Sequence, residues 1–159
     1  MNHESHIETI NDLIEINNDR IAGYQRALEE VKTTRGPQVV QQFQKYINDS
    51  QQYVNDLSNH VQQMGGTPVT GTTLGGKIHR LWMDIKNEFA IDTKESALES
   101  TVFGDGAAIK AYELALNVED MDHSLPDHVR ATLTKQLEAI RQVRATNEVK
   151  EDVAEEVEA

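Results

Sequence analysis

Four stretches of this chain carry apolar side chains at alternating spacings of three and four residues, and each is interrupted once, near its middle, by a polar residue. Such spacing is the signature of helices that pack along a seam. From Glu4 to about Lys32 the seam reads Ile7, Ile10, Ile14, Ile21, Tyr24, Leu28 and Val31, with Asn17 in the remaining seat. The second reads Val40, Phe43, Ile47, Val54, Leu57, Val61 and Met64, with Ser50 between its halves. The third, over about 93–117, has Leu98, Val102, Ile109, Tyr112 and Leu116 around Asp105. In the fourth, Val129, Leu133, Ile140 and Val143 surround Gln136, although Leu137 beside it is an alternative occupant of that seat.

The breaks between seams define the connections. Thr33 to Pro37 contains a Gly-Pro pair and is short enough only for a hairpin between antiparallel helices, and Gly65-Gly66 is a glycine stop for the second helix. Residues 65 to about 92 form a long connection whose second part is amphipathic, with Ile78, Leu81, Trp82, Ile85 and Phe89 on one face. Pro126 suits the first turn of the fourth helix. The expected fold is all-α: a four-helix bundle with a long crossover, containing a short helix, between the second and third long helices. A crossover along helices of this length covers roughly 40 Å, and the connection is long enough to do so. The bundle domain is expected over 1–147, and 148–159 as an acidic C-terminal tail of frayed helix or disorder.

Composition narrows the functions. With 27 acidic against 15 basic residues and a formal charge of −12, the chain repels nucleic acid and anionic membrane surfaces. No run approaches the ~18 apolar residues of a membrane span, and the first ten residues lack a signal-peptide pattern, so a cytoplasmic location is expected. The absence of cysteine removes disulfides, thiolate metal sites and cysteine nucleophiles. Gly71 and Gly76-Lys77 have phosphate-loop spacing, but no strand precedes them and Ile78 stands where a Ser or Thr is needed for magnesium. His60 and Asp56 lie one turn apart, His79, His123 and His128 look isolated, and Met1-Asn2-His3 is a weak terminal copper or nickel binder at most.

The four polar seats are the candidate site. Helix midpoints superimpose whichever way each helix runs, so Asn17, Ser50, Asp105 and Gln136 are expected to form one polar layer across the core. Metal-binding bundles place two Glu and two Glu-x-x-His pairs at that level, whereas this layer offers one carboxylate, with Ser50-x-x-Tyr53 and Gln136-x-x-Ala139 at the paired positions. We therefore expect a hydrogen-bonded layer that fixes register, with no catalytic, cofactor or metal residue, and one whose four seats tolerate joint replacement by apolar residues. Gly104 and Gly106, inside the third helix, are expected to lie against a closely packed neighbour.

Three stretches together, Ile10 to Ala27, Gly65 to Lys86 and Ser96 to Leu116, resemble a bacterial ferritin-like four-helix-bundle family of unknown function, related in fold to rubrerythrin and ferritin. The resemblance runs from about 6 to 147. It implies a ferritin-like bundle and supplies no established activity. Where the family tends to read Glu-Arg-Gly-Glu-Asp-Ala-Ala, this chain has Val102 to Ala108, keeping a carboxylate at Asp105 and losing the next to Gly106. The expectation is a non-enzymatic protein with an interaction or stress-related role, its partner an unidentified protein or a second copy of itself. The rival is an iron-binding or iron-oxidising protein using Asp105 with Glu15, Asp49 or Asp56; iron is a cofactor only under that reading.

Overall fold

A computed structural model describes residues 3–34, 36–69, 83–84, 97–117 and 125–158. Four long helices account for most of them: α1 (His3–Thr34), α2 (Pro37–Gln63), α3 (Ala97–Leu116) and α4 (Asp127–Glu158). The described residues contain no strand. No helix among them is long and apolar enough to cross a membrane. The crossover helix expected after Gly76, the phosphate-loop spacing, His79 and His123 lie outside the described residues, apart from residues 83–84.

Local chemistry sets the helix ends. Gly36 is extended (φ −77°, ψ 170°) and Pro37 opens α2, where its missing N–H removes no hydrogen bond. At the other end Gly65 adopts φ 84°, its N–H meets the Gln62 carbonyl at 3.0 Å, and Gly66 N–H meets the Val61 carbonyl at 2.9 Å. This paired arrangement closes the last turn and needs a residue without a Cβ penalty at Gly65. A Cβ on Gly66 would stand 2.8 Å from Ile7, so the departing chain is pressed against α1. Asn11 holds it there, donating to the Thr67 carbonyl at 3.2 Å and accepting from Val69 N–H at 3.1 Å. α4 runs as helix through Glu158, past the expected bundle limit at 147.

Contacts between helices fix their directions. Asn17 pairs with Tyr112 and Tyr24 with Asp105, so α1 and α3 are antiparallel. Arg130 reaches the Leu116 carbonyl and Arg144 the Val102 carbonyl, so α3 and α4 are antiparallel too. His60 meets Thr132, and Gln136 meets the Tyr53 carbonyl, which sets α2 against α4. With α1 and α2 packed as a hairpin, α2 and α3 run in the same direction.

The core has two parts. One is aliphatic and is built around Ile10, Leu13, Ile14, Leu57, Leu133 and Ile140. The other gathers Tyr24, Ala27, Val31, Phe43, Tyr46 and Ile47, with the Tyr24 ring edge-on to Phe43 at 5.3 Å. On α1 the buried face differs from the expected seam: Leu13, Arg20 and Ala27 are buried, while Ile7, Ile21 and Leu28 are only half-buried. The reason is that α1 packs against both α2 and α3, and a helix with two neighbours buries a wider stripe than a two-helix seam. On α3 the inward face includes Ala108, Ala111 and Ala115, small residues that let neighbouring helices come close.

Candidate functional site

All four polar seats are inside. Asn17, Ser50, Asp105 and Gln136 are each no more than 3% exposed, and a buried polar group needs a partner or costs about 1–3 kcal/mol. They find their partners through three residues that the apolar spacing did not mark as part of the layer. Tyr112 joins the first pair: Asn17 Nδ2 donates to its hydroxyl at 2.8 Å, and that hydroxyl donates to Gln136 Oε1 at 2.7 Å. Asn17 Nδ2 also donates to the Leu13 carbonyl at 2.9 Å.

Arg20 joins the rest. Its Nε donates to Asp105 Oδ1 at 2.8 Å, and its Nη1 donates to Asn17 Oδ1 at 2.8 Å and to Ser50 Oγ at 3.2 Å. One guanidinium thus ties α1, α2 and α3 at the same level. Tyr24 completes the carboxylate, donating to Asp105 Oδ2 at 2.5 Å while accepting from Asn147 Nδ2 at 3.0 Å. A small pocket lined by Tyr46, Asp49, Ser50, Tyr53, Ile140 and Val143 approaches the Arg20 side chain between α2 and α4.

The electrostatics follow from burial. Desolvation alone works against a charge on Arg20, but the Asp105 carboxylate and the surrounding phenol oxygens outweigh it, so the guanidinium is held more firmly protonated than usual. Burial, and then the adjacent Asp105, push the Tyr24 phenol well above its ordinary value. Burial also raises Tyr112. Both phenols are therefore hydrogen donors fixed in the neutral state near pH 7.

The layer carries one positive and one negative side chain, which cancel. A divalent ion in a dry bundle needs several carboxylates to offset its charge, and the one carboxylate of this layer, Asp105, is already engaged by Arg20 and Tyr24. The rival carboxylates are dispersed. Glu15 is buried on α1, Asp49 accepts from Lys45 at 2.7 Å near the surface, and Asp56 accepts from Gln52 at 2.9 Å. Among the described residues, no group of three or more His, Cys, Asp or Glu is arranged to hold a metal ion.

Three expectations need correction. The four seats cannot be made apolar as a set without loss, because Arg20 would be left charged, buried and unpaired. The glycines on either side of Asp105 also differ from each other. A Cβ on Gly104 meets nothing within 4 Å among the described residues, whereas one on Gly106 stands 3.0 Å from Arg144 Nε. The missing side chain at 106 gives passage to Arg144, which donates to the Val102 carbonyl at 3.3 Å. His128, read as isolated, lies beside His60 with ring centroids 5.4 Å apart and the rings tilted by 54°.

A signal for Arg20 was present in the sequence: it stands seven residues from Leu13 and seven from Ala27, on a stripe parallel to the assigned seam. A charged residue on an otherwise apolar stripe is a buried-pair candidate. Residues 5–118 match the family described as Domain of unknown function (DUF2383). The chain belongs to this family. The matched region holds Asn17, Arg20, Tyr24, Ser50, Asp105 and Tyr112, while Gln136 and Asn147 of α4 lie beyond it. No curated protein and no solved structure matches the chain.

Proposed function

We propose that this member of the DUF2383 family is a ferritin-like bundle whose central cation is its own Arg20 guanidinium, and that it serves a non-enzymatic interaction or stress-related role. The observation that carries the proposal is the Arg20–Asp105 pair at 2.8 Å, both side chains 2% exposed or less. Ferritin-like bundles place metal ions in the middle of the core and surround them with carboxylates. In this chain a covalently attached cation meets a carboxylate, an amide oxygen and a hydroxyl at the middle of the bundle. The ferritin-like reading draws support from helix direction: α2 and α3 run the same way, as in bundles with a crossover connection, and Asn11 holds residues 67–69, just after α2, against α1. A cytoplasmic location and a protein partner or second copy fit the acidic composition.

Anaerobic loading of the purified chain with ferrous iron, followed by desalting, elemental analysis and exposure to air, tests the proposal. The expected result is no iron retained at the bundle centre and oxidation no faster than in buffer. Retention of about two irons per chain, as in a di-iron bundle, with oxidation abolished by Asp105→Asn, overturns it in favour of an iron protein.

A further inference from the structure

Near the end of α2 a hydrogen-bond chain reaches one imidazole. Thr132 donates its hydroxyl proton to the His128 carbonyl at 3.2 Å, one turn back on α4. Its oxygen also lies 2.9 Å from His60 Nε2. With the Thr132 hydroxyl turned to the His128 carbonyl, His60 Nε2–H donates to Thr132 Oγ1; with it turned to His60, Nε2 accepts. In the first arrangement the proton of the neutral ring is on Nε2 and Nδ1 carries the lone pair. That Nδ1 atom is buried and has no hydrogen-bond partner. The Gln63 side chain lies beside the ring and favours its protonation.

A histidine that donates one ring nitrogen to a fixed acceptor and presents the other as a bare lone pair is arranged as metal-ligating histidines are. The second imidazole is in place. Two imidazoles sharing one tetrahedral ion, each about 2.1 Å from it through nitrogen, have their ring centroids about 5 Å apart; His60 and His128 are separated by 5.4 Å and tilted by 54°. His128 is exposed, so its ring is free to turn about its side-chain bonds.

We propose that His60 Nδ1 and His128 bind one borderline divalent transition-metal ion, of which zinc is the simplest probe, and that the ion clasps α2 to α4, with water filling its remaining positions. The site joins two helices that otherwise touch at few places. It is independent of the Arg20 layer and of the proposed role of the bundle. The groups that face it are His128 and Thr132 from α4, and Asp56 and Gln63 from α2. Burial, and then the neighbouring His128, lower the affinity of His60 for a proton, while Asp56 works weakly the other way. The neutral ring that metal binding requires is therefore the resting form near pH 7.

Zinc titration of the untagged full-length chain, by calorimetry and by thermal melts, reads the site. About one zinc per chain is expected at pH 7.5, with Tm raised by about 4 °C at zinc tenfold above its Kd and with binding weakened at pH 5.5 by proton competition. His60→Ala and His128→Ala should each abolish the shift, and His3→Ala should leave it intact. His128→Ala changes an exposed residue, so its fold is secure even if His60→Ala is destabilised. Long-range proton–nitrogen spectra should show His60 protonated at Nε2 before zinc and its Nδ1 resonance moved by zinc. The proposal is overturned if zinc binding survives His128→Ala, if it disappears with His3→Ala alone, or if His60 carries its proton on Nδ1.

Discussion

The buried layer has a neutral half and an ionic half, set about two helical turns apart along the same four helices. In the neutral half Asn17, Tyr112 and Gln136 pass hydrogen bonds along a line, and every member is uncharged. In the ionic half Arg20, Asp105 and Tyr24 surround one carboxylate and one guanidinium. Both halves tie α1 to α3, but the penalty for an error is different. A lost neutral partner leaves a dipole unsatisfied, whereas a lost ionic partner leaves a charge in a medium that solvates it poorly. The ionic half is therefore the more costly of the two to disrupt.

The largest predicted effect separates the two halves directly. Asp105→Leu strands the Arg20 charge and the Tyr24 hydroxyl, and should cost about 3–5 kcal/mol in urea denaturation. Gln136→Leu removes one acceptor from Tyr112 and should cost about 1–3 kcal/mol. Equal losses from the two substitutions would erase the distinction between the halves.

A smaller effect sharpens the comparison within the ionic half, where two glycines flank Asp105. Gly104→Ala should stabilise the chain by about 1 kcal/mol, since alanine favours helix and nothing described stands in its way. Gly106→Ala should lower the melting temperature, because its methyl group displaces Arg144 from the Val102 carbonyl. If both variants melt higher than the natural chain, the Arg144 contact contributes nothing to stability.

The helices and the four polar seats were legible in the sequence because each rests on local periodicity, which a seam of threes and fours reveals without knowledge of the neighbours. The joining residues were harder to read. Arg20 looks like an ordinary surface charge unless α1 is known to have a second neighbour on that side, and this depends on how four helices are arranged. Tyr24 and Tyr112 read as apolar seam residues, and they are; their hydroxyls enter the layer only because the facing helix offers Asp105 or Gln136 at the right height. Pairing between helices also hid the His60–His128 contact, since 68 residues of chain separate the two and only the α2–α4 packing brings them together. Gly106 was seen to need a close neighbour, and the identity of that neighbour, Arg144 from α4, is likewise a tertiary fact.

The central claim is that a resident guanidinium and Asp105 act as one unit at the heart of the bundle. A double-mutant cycle of Arg20→Met, Asp105→Leu and their combination, followed by urea denaturation, measures this coupling without reference to any ligand. The account predicts two costly single substitutions and a double variant much closer to the natural chain, the sum of the single losses exceeding the double loss by at least about 2 kcal/mol. Additivity within about 0.5 kcal/mol would contradict it, and would mean that Arg20 and Asp105 are held in place independently of each other.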